Sequence, residues 1–279
     1  MIDFRLSHSS VDDYTTCPEK WRLGRGEKIT RRPGWSLIGG NAVHTVTAVL
    51  DLRDFGVPSD DPDNFAEAFA KEADAQEEKT GVPRSEWHRA GRVSKDKPNK
   101  EDAEWWLANG QQFVDNWRDW LNASAYSVWI TPDGEPAIEI GIELDEANGF
   151  GGVPWAGYID RILEREDTRG VVDLKTGSRE PATARQVATY RLAIGKTMGW
   201  QHAPSWGAYF MNRTGLLTTP TPLWDNYPLE RLEYEYQQVA TGIKNDVFPA
   251  RPGPLCASCG VNEFCFEWGG DKAAQVQPW

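Results

Sequence analysis

The stretches Gly157-Tyr158-Ile159-Asp160 and Val171-Val172-Asp173-Leu174-Lys175-Thr176-Gly177 decide how this chain reads. Each carries an acid after an apolar run. Side chains alternate faces along a strand, so Asp173 and Lys175 point the same way. If the two strands pair as a hairpin, Asp160 lies opposite them. Two carboxylates and an ammonium at one end of a sheet can hold a divalent ion and position an attacking water. The ion lowers the water's pKa and offsets phosphate charge, and Lys175 stabilises the same anion. An acid-x-Lys trio also occurs as paired charges on an exposed sheet edge. Val171-Val172 argues against that, because it marks a buried strand, where charges are rare unless used.

Working outward, Gln186 and Tyr190 fall at i, i+4 of a helix and share a face beside the acids. The alternative is an ordinary helix surface with a half-buried Tyr. Upstream, Gly39-Gly40-Asn41-Ala42-Val43-His44 puts one imidazole inside an apolar helix. Alone it reads as a core histidine; beside an acidic cluster, a neutral imidazole suits a metal ligand. Helices are expected over 36–55, 65–79, 101–121, 181–198 and 228–245, with a short one before Cys17-Pro18. The 181–198 helix is read with Pro181 in its first turn. Strand-like patterns cover 126–130, 137–144, 158–164, 170–176, 205–212 and 216–222. Residues 58–63 read as a linker and 81–100 as a mobile loop. The order of elements implies an α/β core after a helical N-terminal part. On the 101–121 helix, Trp106, Phe113, Trp117 and Trp120 form one apolar stripe, read as core. Trp105 lies off that stripe and is the better candidate for stacking on a base or for an interface.

The chain has 279 residues and a formal charge of −12. It can bury a sizeable core without disulfides. It lacks a secretory signal and any run of ~18 apolar residues, so a cytoplasmic protein without a membrane span is expected. The charge is uneven. Residues 1–50 carry 7 basic and 5 acidic groups, 101–150 carry 1 and 11, and 151–200 carry 8 and 6. The acid therefore concentrates in one window, and both windows bearing most of the candidate site are net positive. A local basic groove on an acidic body follows, so the net charge does not exclude nucleic acid.

Four cysteines, Cys17, Cys256, Cys259 and Cys265, complete the inventory. Disulfides need an oxidising compartment. Four thiolates suit zinc or an iron–sulfur cluster, and the C-x2-C-x5-C spacing does not choose between them.

Taken together, Ser9-x4-Tyr14-x2-Cys17-Pro18, Gly40-x3-His44, Gly157-x2-Asp160, Asp173-x-Lys175, Gln186-x3-Tyr190 and Cys256-x2-Cys259-x5-Cys265 stand in an order that resembles the PD-(D/E)XK nuclease superfamily. Within it they resemble the RecB-like branch, and there the iron–sulfur exonucleases of the AddB and CRISPR-associated Cas-four type. The resemblance spans nearly the whole chain. It implies a restriction-endonuclease-like α/β fold, a mixed sheet flanked by helices. A single nuclease domain over 1–279 would comprise a helical part (1–125), a catalytic core (126–247) and a cysteine tail (248–279). His44, Asp160 and Asp173 would ligate Mg²⁺ or Mn²⁺, and Lys175 would orient water and steady the transition state. Gln186 and Tyr190 would contact the DNA strand. The four cysteines would hold a [4Fe-4S] cluster fastening the tail to the first helix. Asp173 stands where many relatives carry Glu, and Ile159 where the superfamily's name places Pro. No Walker or helicase motif is present, so a stand-alone enzyme is implied.

The expected activity is metal-dependent exonucleolytic cleavage of DNA at single-stranded ends, in recombination, repair or CRISPR adaptation, with a phage origin among the options. The alternative is an end-processing subunit whose main role is assembly with recombination or CRISPR adaptation proteins through its acidic region. An oligomer is compatible with either.

Overall fold

A computed structural model describes residues 4–91 and 100–276. Residues 92–99, within the expected loop, therefore lie outside the described residues. In chain order the first helices are α1 (His8–Thr16), α2 (Pro18–Trp21), α3 (Trp35–Asp54), α4 (Phe65–Thr80) and α5 (Ala103–Ala123). A single π-helical turn, Arg22–Gly26, follows α2. Then come β1 (Ser127–Val128), β2 (Ile138–Leu144), β3 (Trp155–Arg165), β4 (Thr168–Lys175) and α6 (Arg185–Met198). The last elements are β5 (Trp206–Met211), β6 (Leu216–Leu217), β7 (Thr221–Pro222), α7 (Leu223–Asn226) and α8 (Leu229–Lys244). The helix expected from 181 starts at Arg185, so Pro181 precedes it instead of sitting in its first turn.

The chain divides into two compact units. One comprises Met1–Pro33, Glu143–Gly157 and Leu229–Trp279; the other Gly34–Ile142 and Tyr158–Pro228. In the first, Ser7 caps α1 by accepting the Ser10 N–H. Trp21 is buried, stacks on Phe248 at 5.8 Å and donates its indole N–H to Ser10 Oγ. Buried Asp13 gathers Lys20, Arg25 and Arg31. Burial alone would raise its carboxyl, but these three cations hold it below the usual range.

The second unit carries the site. Its helices α3, α4 and α5 pack through Ile38, Val43, Phe65, Phe69 and Trp106. Close approach is bought with glycines: a Cβ on Gly39 would lie 2.1 Å from the Trp106 ring, and one on Gly110 2.1 Å from Phe65. Trp106, Phe113 and Trp117 of the expected stripe are buried. Trp120 packs beside Trp117 and Phe210. Trp87, in a polar stretch read as loop, is also buried, with its ring centroid 4.7 Å from that of Trp35.

The sheet is mixed, with order β1-β3-β4-β5-β6, β2 on β3 and β7 on β5. Strands β3 and β4 form the expected antiparallel pair, with Arg161 opposite Val172. Strands β4 and β5 run parallel, with Asp173 beside Tyr209, and α6 makes the crossover between them. The architecture is α/β, a mixed sheet with helices, consistent with a restriction-endonuclease-like core.

Candidate functional site

Asp160 and Asp173 follow one step beyond the Arg161–Val172 pair, which brings both acids to the same end of the sheet. The peptide groups of Leu174 then fix two side chains. Its N–H donates to Asp160 Oδ2 at 2.7 Å, and its carbonyl lies 3.1 Å from His44 Nε2. A carbonyl only accepts, so Nε2 carries a proton there and Nδ1 is the ring position turned toward the carboxylates. Nδ1 sits 3.5 Å from Asp160 Oδ1 and 3.6 Å from Glu139 Oε1. Donor atoms of His44, Glu139 and Asp160 all lie within 4.8 Å of one another. One imidazole and two carboxylates make a donor set suited to Mg²⁺ or Mn²⁺.

Helix α3 reaches this point because Gly40, one turn before His44, has no side chain: a Cβ there would be 3.2 Å from Thr176 Oγ1. That is a physical reason for the Gly40-x3-His44 spacing.

Asp173 lies beside this group of three, next to Lys175. Lys175 Nζ is 2.6 Å from Asp173 Oδ2. The Gln186 amide N–H donates to the other Asp173 oxygen and also, at 3.0 Å, to the Tyr190 hydroxyl. Gln186 Oε1 accepts from Lys175 at 2.9 Å. Gln186 and Tyr190 thus share a face as expected, and they brace the Asp173–Lys175 pair.

The electrostatics follow from crowding. Burial would lower the His44 pKa, but Asp160 and Glu139 beside its ring raise it well above the ordinary value. Burial pushes Asp160 up, while His44 and the Leu174 N–H hold it below the usual range. Asp173 is pushed up to about 6, by burial and then by the Asp160 charge, against the pull of Lys175.

Two supports were not visible in the sequence motifs. Arg161 is fully buried; its Nε pairs with Asp51 Oδ2 at 2.7 Å and its Nη1 lies 3.3 Å from Glu139 Oε1. Trp117 Nε1 donates to the same Asp51 oxygen at 2.8 Å. Arg213 donates to the Thr176 carbonyl, just past Lys175, and grips Glu101 through two bonds of 2.8 and 2.9 Å. Its guanidinium lies 4.8 Å from the Trp105 ring centroid, so Trp105 is part of this anchor and not an open stacking surface. Glu139 adopts φ +48°, a left-handed conformation unfavourable for a non-glycine residue. Such strain is concentrated at functional sites.

The four cysteines all belong to the other unit and are half-buried free thiols. Among the described residues no three cysteine sulfurs come within 4.8 Å of one another. Burial pushes the Cys265 thiol up. The expected iron–sulfur site therefore finds no support in this arrangement.

Among the described residues no helix is long and apolar enough to cross a membrane.

The sequence profile of the PD-(D/E)XK nuclease superfamily matches residues 5–266. The Gene 69 protein of Mycobacterium phage D29 is 31% identical over 268 residues, covering 93% of this chain and 95% of that protein. The Gene 69 protein of Mycobacterium phage L5 is 28% identical over 290 residues, with the same coverage. With a family match over almost its full length, and its acids, histidine and lysine at one sheet end, the chain belongs to the PD-(D/E)XK nuclease superfamily.

Proposed function

We propose that the protein is a metal-dependent deoxyribonuclease that hydrolyses phosphodiester bonds at single-stranded DNA ends. The observation that carries this is the convergence of His44, Glu139 and Asp160 beside the Asp173–Lys175 pair. His44 Nδ1 and the two carboxylates would hold the ion. Asp173 is a further ligand in this reading: burial and then the Asp160 charge raise it, and a divalent cation would offset that charge. A divalent ion bound there supplies Lewis-acid stabilisation of the phosphate and lowers the pKa of water. Lys175, held by Gln186, offers its ammonium to the phosphoryl oxygens and orients the attacking water. Gln186 and Tyr190 line the strand's approach along α6. Two relatives from phages fit a phage-encoded role in DNA processing.

The test is digestion of end-labelled single strands with Mg²⁺ or Mn²⁺, alongside a circular single strand. Stepwise loss from linear ends, no cut in the circle, and no cleavage by Asp160→Ala support the reading. Equal cleavage by wild type and Asp160→Ala overturns it. The reading needs only the divalent-metal group. The visible spectrum and iron content of anaerobically purified protein decide separately whether the thiols carry a cluster.

A further inference from the structure

Helix α6 carries Gln186 and Tyr190 toward the site and Arg191 on its flank, about 7.5 Å along the axis from Gln186. Arg191 is fully buried, yet among the described residues no carboxylate acts on it. Its Nη2 donates to the Tyr227 carbonyl at 3.1 Å, while Nε and Nη1 find no hydrogen-bond partner among the described residues. Its guanidinium lies against the Trp224 ring, 4.2 Å from the centroid. A buried cation without a counter-charge is destabilising, and such groups persist where they serve a function.

One turn further, Gly195 sits inside the helix, where glycine costs about 1 kcal/mol relative to alanine. A Cβ there would lie 2.4 Å from the Trp200 ring. The glycine thus lets Trp200 lie on the helix backbone. Arg191 and Gly195 are four residues apart and share a face, so the two rings sit side by side, with centroids 6.2 Å apart. Trp200 is 43% and Trp224 45% exposed, whereas nearly every other tryptophan among the described residues is buried or half-buried. Trp224 also borders a surface cleft of about 580 Å³ lined by Tyr126, Arg165, Glu166, Trp206 and Asp225 among others.

We propose that Trp200 and Trp224, backed by Arg191, form a base-stacking subsite for single-stranded nucleic acid on the flank of α6. The inference rests on the proposed nuclease activity and names where the strand is held away from the reacting phosphate. Each ring offers one face to a base. Arg191 fixes the Trp224 plane from behind, leaving the outer face of the ring for a base. Arg191 is a positioning residue.

The experiment compares the full chain and the variants Trp200→Ala, Trp224→Ala, Trp224→Phe and Arg191→Met on two substrates. One is an oligothymidylate long enough to lie along α6; the other is thymidine 5′-p-nitrophenyl phosphate, which reaches only the reacting centre. Each alanine variant is expected to raise KM for the strand roughly tenfold with kcat unchanged. The small substrate should be unaffected, and Trp224→Phe should restore most of the loss. Arg191→Met should raise KM for the strand without lowering Tm, because an unpaired buried charge has been removed.

An unchanged KM for the strand overturns the subsite. So does an equal loss on both substrates, which marks a structural role. If wild-type protein cleaves neither substrate, the activity reading has failed on its own. Fluorescence anisotropy with a labelled oligothymidylate then reads the subsite directly: tighter binding by wild type than by Trp224→Ala retains it, and equal or absent binding rejects it.

Discussion

The backbone of Leu174 ties Asp160 to His44: its N–H holds one Asp160 oxygen at 2.7 Å and its carbonyl lies 3.1 Å from His44 Nε2. The residue between Asp173 and Lys175 therefore positions both side chains, which come from neighbouring elements. Nδ1 faces both carboxylates as a consequence. His44→Ala should keep the fold, since the ring is only half-buried, and should weaken Mn²⁺ binding by roughly 10–100-fold by analogy with lost ligand support. Circular dichroism and calorimetric titration check the two halves of that statement.

Protonation and metal compete at this site. His44 has a raised folded pKa, so its contribution to metal-free stability is present at low pH and lost as pH rises through that value. Asp173, raised to about 6, acts in the same direction: its burial favours the acid form and becomes unfavourable as pH climbs from about 4 to 6. Metal-free protein should therefore lose stability between pH 4.5 and 7, and Asp173→Asn should flatten that fall, with an upper bound of about 3 kcal/mol. Urea midpoints in EDTA at the two pH values measure it. Metal affinity should rise over the same interval.

The Asp51–Arg161 pair is fully buried, and Arg161 leans on Glu139. Asp51→Asn leaves the guanidinium without its main counter-charge, which should destabilise the protein by about 3–5 kcal/mol. Equilibrium unfolding reads that loss directly.

Gly39→Ala drives a methyl into the Trp106 ring, where α3 crosses α5. A loss of about 1–3 kcal/mol is expected from overpacking. A Tm comparison with Gly56→Ala is not informative, because Gly56 needs φ +71°. Gly177→Ala, which meets nothing within 4 Å, is the better control.

Much of this was legible from residue order. The strand pair bearing Asp160 and Asp173, the helix carrying His44, and the Gln186–Tyr190 face all come from local patterns that the fold respects. Glu139 escaped because Ile138-Glu139-Ile140-Gly141-Ile142-Glu143-Leu144 alternates, and alternation assigns its acids to a solvent face. Glu139 stands in a left-handed conformation instead, and its carboxylate lies 3.6 Å from His44 Nδ1. Arg161 escaped for a related reason: a guanidinium after Asp160 reads as exposed until Asp51, 110 positions away, is seen beside it. The acidic window from 101 to 150 also changes meaning. Two of its acids are spent internally, Glu101 on Arg213 and Glu139 at the metal group. The cysteine spacing, by contrast, could not say where the sulfurs lie relative to one another.

The most direct test of the central claim is calorimetric titration of Mn²⁺ into wild type, Glu139→Ala and Asp160→Ala, each shown to be folded. The expected result is one site in wild type, weakened at least tenfold in Glu139→Ala and lost in Asp160→Ala. Wild-type affinity retained in both variants would contradict a metal centre built on His44, Glu139 and Asp160.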